Sequence, residues 1–302
     1  MDYSWLIVAI LGYFAFAIAS LGDKIVLGQS PRPRAFTFFV GVFNILAIFM
    51  IPFVGFEIPS GFTIFWIILD AIIYIFGLYG MFSALEKFDV SRVIPAIGAI
   101  QPVIIFGLTC LFWGPQFLDV KGMIAFLLLL IGTILISLDK TGDLFSKESL
   151  KISFATAVLF SLDFVFSKFV YLDMSFWQGF IWIRIFSFIF SLSLLLNKNF
   201  YQDIFGKRKI TKTSTGILFV LFQGAGGLAT IFQSWAIALA PIAFLAIINA
   251  LRGVQYIFLF IFTILCTIFI PKILKEDISK GTVIQKVLSI VIIVLGLALL
   301  FY

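Results

Sequence analysis

The chain has 302 residues, of which 62% are hydrophobic and 12% charged, with a formal net charge of +6. A soluble domain carries about 25% charged residues, so the polar surface is too small to cover a water-soluble globule and lipid is the expected solvent. Histidine is absent, which removes the commonest metal ligand and the side chain that titrates nearest neutral pH.

Apolar runs at 4–22, 35–55, 61–83, 92–113, 120–138, 152–172, 176–196, 213–238, 242–270 and 282–302 predict ten transmembrane helices. Each is close to the roughly 20 residues that cross a hydrocarbon core, and their continuity argues against the alternating pattern of a β-barrel. Only Met1-Asp2-Tyr3 precede the first run, so no cleavable leader is expected. Ser30-Pro31-Arg32-Pro33, Pro59-Ser60-Gly61, Gly114-Pro115 and Thr141-Gly142-Asp143 break the chain between runs. The polar Asp139–Lys151 segment reads as a hinge between residues 1–142 and 143–302, two sets of five spans. An odd-numbered unit inserted twice in tandem enters the membrane in opposite orientations, the inverted-repeat plan of secondary transporters. Cys110 and Cys266 lie inside apolar runs, without CxxC spacing, and are expected to be buried structural thiols.

Seventeen of the 21 basic residues fall on the connections after odd-numbered spans. Lys121 and Lys168 lie toward the other side, and Arg184 and Arg252 inside spans. The positive-inside rule then places the odd connections in the cytoplasm and both termini outside, in a plasma-membrane protein. The basic run Lys207-Arg208-Lys209-Ile210-Thr211-Lys212 is expected to anchor to anionic lipid and not to nucleic acid.

Asp70, Gln101, Asp163, Arg184 and Arg252 fall near the middle of spans three, four, six, seven and nine. A charge at that depth costs a few kcal/mol or more unless it faces protein or water, so all five are expected to face a shared interior. Asp163 and Arg184, on one hairpin, are expected to form a structural ion pair. Asp70 and Arg252 form either a similar static bridge or a cavity lining that exchanges partners, with Asp70 a possible acceptor of a coupling proton. Arg252 offers a planar fork of donors suited to carboxylate or phosphate. Asn249 and Gln255, three residues before and after it, share its helix face. They either complete an anion-reading surface or make interhelical hydrogen bonds. Gln233 and Trp235 on span eight, with Tyr74 and Tyr79 on span three, are candidate cavity walls. Gly224, Gly226 and Gly227 read as sites of close helix packing, and Lys24 and Lys168 as side chains that snorkel to the interface.

Two segments carry a resemblance. The first half reads Ser83-Ala-Leu-Glu-Lys-Phe-Asp-Val-Ser-Arg92, then Pro95-Ala-Ile-Gly-Ala-Ile-Gln-Pro102, with Gly132 in the following span. The second reads Ser234-Trp-Ala-Ile-Ala-Leu-Ala-Pro241, then Ala243-Phe-Leu-Ala-Ile-Ile-Asn-Ala-Leu-Arg-Gly253, with Gly296 in the last span. This pattern resembles the EamA-type branch of the drug/metabolite transporter superfamily, which implies two five-helix inverted repeats over the whole chain. Gly114-Pro115 stands where family members often carry an acidic residue, and Glu276 takes that place in the second half. Relatives tend to keep both termini in the cytoplasm, the reverse of the charge pattern here.

No Walker A, HExxH or GxSxG motif occurs, so neither an enzyme, a built-in motor nor a bound cofactor is expected. The leading expectation is a monomeric secondary transporter moving a small polar or anionic metabolite by alternating access, with the lipid bilayer, the small-molecule substrate and a coupling proton as partners. One alternative is an exporter of hydrophobic cations, with Asp70 or Asp163 as counter-ion. Another is a non-transporting membrane scaffold or lipid translocator, which would pair Arg252 with Asp70 in a closed, dry bundle.

Overall fold

A computed structural model describes residues 3–27, 33–88, 90–115, 118–137, 147–205, 213–269 and 280–301, and among them there is no strand. The helices are α1 (Ser4–Leu27), α2 (Pro33–Phe43), α3 (Ile51–Val54), α4 (Gly61–Lys87), α5 (Val90–Trp113), α6 (Val120–Ser137) and α7 (Lys147–Asp173). They continue with α8 (Phe176–Ser193), α9 (Lys198–Phe205), α10 (Thr213–Leu239), α11 (Leu245–Ala250), α12 (Arg252–Phe269) and α13 (Lys280–Phe301). Eight segments among the described residues are long and apolar enough to cross a membrane, and Val120–Ile136 and Gly224–Leu239 are shorter apolar helices. The chain is thus an all-helical membrane protein. Residues 139–146 of the expected hinge, the basic run at 207–212 and Glu276 lie outside the described residues, and residues 147–151 of that hinge belong to helix α7.

Local chemistry fixes the helix ends. Ser60 caps α4 by accepting from Thr63 N at 3.2 Å, and Asp119 accepts from Gly122 N at 2.8 Å at the start of α6, each satisfying an amide that the first turn leaves orphaned. Gly114 ends α5 with φ of +81°, a left-handed conformation that glycine adopts without a Cβ clash, and Pro115 cannot extend the helix.

Two predicted single spans are interrupted. The second passes from α2 through a 3₁₀ stretch, Asn44–Met50, into α3. The ninth begins as a 3₁₀ turn, Ile242–Phe244, and breaks at Leu251 between α11 and α12. There Val254 N donates to Leu251 O at 2.8 Å, a tightened i→i+3 bond. The nearby carbonyls of Ile248 and Ala250 accept from Tyr13 of α1 at 2.7 Å and Thr133 of α6 at 3.0 Å. Side-chain hydroxyls therefore satisfy backbone that lipid could not.

Packing pairs α1 with α10, α4 with α7, α6 with α13, and α5 with both α7 and α11. Apolar side chains gain little by leaving lipid for one another, so close approach and interhelical hydrogen bonds must hold the bundle. A Cβ added at Gly132 of α6 would lie 3.3 Å from Ser289 O of α13, and one at Gly296 of α13 would lie 3.2 Å from Ala125 O of α6. That seam closes only through glycine. Gly224 and Gly227 of α10, expected to serve the same purpose, face open space.

One end of the bundle holds the Arg34–Asp203 and Lys87–Glu148 ion pairs, at 2.8 and 3.2 Å. At the opposite end Thr63 Oγ1 donates to Asp173, and Trp182 Nε1 donates to Glu57 O at 2.7 Å. Between residues 197 and 212, where a plain connection was expected, α9 buries Ile204 against Ala35 and Phe38.

Candidate functional site

The embedded polar residues sort into two clusters. The first lies between α5 and the broken α11–α12 segment. A Cβ at Gly98 would stand 2.9 Å from Arg252 Cδ and 3.6 Å from its Nη1, so the missing side chain makes room for the guanidinium. Tyr256 Oη donates to Ile94 O at 3.3 Å. These contacts set an antiparallel register that brings Gln101 level with Asn249. Gln101 is 2% and Asn249 0% exposed, yet Gln101 Oε1, both amide atoms of Asn249 and Arg252 Nε have no hydrogen-bond partner. An unpaired buried amide or guanidinium group costs about 1–3 kcal/mol, more when charged. Of these four atoms, Asn249 Nδ2 and Arg252 Nε donate, and Gln101 Oε1 and Asn249 Oδ1 accept.

Tyr13 links this cluster to the rest of the bundle and was not foreseen. Its hydroxyl donates to Ile248 O and lies within hydrogen-bonding reach of Gln233 and Arg252. Its position in an apolar run gave it the look of packing; the only signal was one hydroxyl among apolar neighbours. Gln233 therefore lies beside Tyr13 and the Arg252 cluster. Gln255 does not join that cluster, because its amide donates to Ser20 Oγ of α1 at 2.9 Å, an interhelical bond. Trp235 also lies apart, stacked on Phe176 at 5.8 Å and beside Trp177 at 6.4 Å.

The second cluster joins α4, α7 and α8. The Asp70 and Asp163 carboxyls lie within hydrogen-bonding reach of each other, and Asp70, 1% exposed, keeps Oδ1 without a partner. The Arg184 carbon Cζ sits 4.9 Å from the Tyr74 ring centroid and 5.0 Å from that of Phe180. Its Nη1 donates to Asn44 Oδ1 at 3.3 Å, at the start of the 3₁₀ stretch, and its Nε is unpartnered.

The expected Asp163–Arg184 ion pair is not formed; among the described residues the ion pairs are the two at the bundle end. Asn44 and two aromatic faces hold the guanidinium, while Asp163 turns to Asp70, leaving an electrostatic neighbourhood in place of a direct bridge. Asp70 and Arg252 do not pair either. The reason is register: α4 runs antiparallel to α7, with Gly77 against Phe160 and Gly80 against Thr156, which brings Asp70 and Tyr74 to the level of Ser167 and Asp163.

Lys168 also departs from expectation. It is 3% exposed and donates to the carbonyls of Ile237, Ala238 and Ala240 at 3.0, 3.1 and 2.7 Å. It caps the C-terminus of α10, where the helix dipole favours a cation, and does not snorkel. Tyr79 packs on Phe200 at the basic end. Cys110 and Cys266 are free and half-buried. The side chains of Lys24, Pro95 and Gln223 lie outside the described residues. No group of metal-ligating side chains occurs among the described residues.

No family model and no curated protein matches the sequence. A crystal structure of another protein superposes with a TM-score of 0.69 over 97% of this chain and 97% of its own, at 15% identity. At that identity the likeness is one of fold.

Proposed function

We propose that this chain is a secondary transporter of the EamA-like kind that binds a small polar or anionic metabolite between α5 and α11–α12. The observation that carries the reading is the set of four unpartnered buried atoms on Gln101, Asn249 and Arg252. A guanidinium fork beside two carboxamides suits a carboxylate or phosphate that also carries a hydrogen-bonding group. Discontinuous helices beside the substrate are a recurring device in transporters, and Arg252 follows the break at Leu251 directly.

Ten spans in two inverted halves fit this reading, with the shorter α6 and α10 as the fifth and eighth. Exchanging the halves maps the α1–α10 contact onto α7–α4, and the α1–α12 contact onto α7–α5; all four occur. Gly98 and Asn249 are 151 positions apart, as are Gln101 and Arg252. The same exchange maps Gly98 onto Asn249 and Arg252 onto Gln101, so in this reading the Gly98–Arg252 contact has its counterpart between Gln101 and Asn249 and the repeat axis would run near the site. In this reading the basic end is cytoplasmic and both termini are outside, in the plasma membrane.

The hydrophobic-cation alternative is disfavoured because Arg184 already occupies the neighbourhood of both intramembrane aspartates. The scaffold alternative needs Arg252 paired with Asp70, and the two side chains lie in separate clusters. Thermal unfolding of the purified protein against amino acids, carboxylates, phosphorylated metabolites and quaternary amines tests the proposal. An anionic member is expected to stabilise the protein, and Arg252→Ala to abolish that shift. Stabilisation by quaternary amines alone, unaffected by Arg252→Ala, would favour the cation exporter.

A further inference from the structure

The second cluster is not explained by substrate binding. Asp70 from α4 and Asp163 from α7 bring two carboxyls together, and Arg184 from α8 supplies a single compensating charge. The other titratable groups facing them are Tyr74 of α4 and Tyr171 of α7. The Asn44 side chain at the end of α2 is neutral and already bonded to Arg184 and to the carbonyls of Val40 and Gly41. Lys168, one helical position beyond Ser167, is committed to α10. Two carboxylates and one guanidinium leave one negative charge uncompensated, in a place where Asp70 is 1% and Arg184 7% exposed. Two carboxyls can hydrogen-bond to one another only when one of them carries a proton. Asp70 Oδ1 and Arg184 Nε remain without partners, so the cluster is incomplete as it stands.

We infer that Asp70 and Asp163 together hold one exchangeable proton, and that this pair, separate from the Arg252 cluster, is the proton-coupling site of the transporter. The proton is shared between one oxygen of each carboxyl and neutralises the cluster with Arg184. Releasing it to water leaves two adjacent carboxylates whose repulsion only Arg184 offsets, a state that favours separating α4 from α7. Those two helices come from opposite halves, so loading and unloading the pair biases the rocking motion that alternating access needs. A proton suits the pair better than a sodium ion, which takes several oxygen ligands; the neutral Asn44 side chain has already given its Oδ1 to Arg184. The coupling part of this inference rests on the transporter reading; the proton-holding part does not.

Infrared difference spectroscopy of the protein in liposomes, titrated across pH in H₂O and D₂O, tests it directly with the proton itself as the ligand. The expected result is one buried carboxylic-acid C=O band that titrates, shifts on deuteration, and disappears in both Asp70→Asn and Asp163→Asn. The band should persist in Arg252→Ala. The isosteric amides keep the shape of the site, and the deuterium shift in the unaltered protein does not depend on any variant folding. Absence of such a band, its survival in both variants, or its displacement by sodium at constant pH would overturn the assignment. Uptake by the same liposomes then separates the two claims. Substrate uptake that ignores an imposed pH gradient overturns coupling while the transporter reading stands. A titrating band with no uptake of any anion upholds the proton site and counts against the transporter.

Discussion

The two polar clusters solve the problem of buried polarity in opposite ways. Between α4, α7 and α8, charged groups answer one another: Asp70 meets Asp163, and Arg184 is held by Asn44 and two aromatic faces. Between α5 and α11–α12, Gln101 Oε1, both amide atoms of Asn249 and Arg252 Nε have no hydrogen-bond partner. A charged cluster that lacks one counter-charge, with Asp70 Oδ1 and Arg184 Nε unpartnered, calls for a proton. One that leaves donors and acceptors open is ready for a molecule that is not part of the chain.

That contrast orders the expected effects of substitution. Arg184→Met should be the most damaging, because it strips two adjacent carboxyls of their cation; loss of one partner from a buried charge cluster costs about 3–5 kcal/mol, readable as a lowered unfolding midpoint in detergent. Lys168→Met leaves the last carbonyls of α10 without donors and should cost roughly 1–3 kcal/mol in the same measurement, with anion-induced stabilisation retained. Gly98→Ala adds a methyl against Arg252 Cδ. Overpacking of this kind costs about 1–3 kcal/mol, and the thermal shift produced by the anion should shrink more than the stability of the empty protein. Gly224→Ala, where nothing lies within 4 Å, should leave the protein unchanged or stabilise it by roughly 0.4–1 kcal/mol. If Gly224→Ala harms anion binding as much as Gly98→Ala does, the distinction between the clusters and the rest of the bundle fails.

That the chain is a helical membrane protein was legible because about 20 apolar residues in a row have few other uses, and eight such helices occur among the described residues. Asp70, Gln101, Asp163, Arg184 and Arg252 stood out because polar residues inside such runs are costly. Their partners were not legible. Which side chain meets which depends on helix register, and register here is set by small residues such as Gly77 and Gly80 that carry no polar signal. The sequence thus pointed to Asp163–Arg184 and Asp70–Arg252 where the packing joins Asp70 to Asp163. The break at Leu251 has no proline to mark it, and the Asn249 and Arg252 beside it read as site residues instead of as a sign of broken helix. What stabilises it is supplied from elsewhere, by Tyr13 and Thr133. Lys168 looked like an interfacial residue because its target, the end of α10, is 69 to 72 positions away.

The central claim is that the space between α5 and α11–α12 opens alternately to the two sides of the membrane and holds an anion. A single cysteine at position 101, in a background with Cys110 and Cys266 replaced by serine, measures this with membrane-impermeant maleimide applied to one face of sealed vesicles at a time. The account predicts labelling from either face, slowed by the anion that stabilises the purified protein. Labelling from neither face, or labelling that the anion does not change, would contradict it.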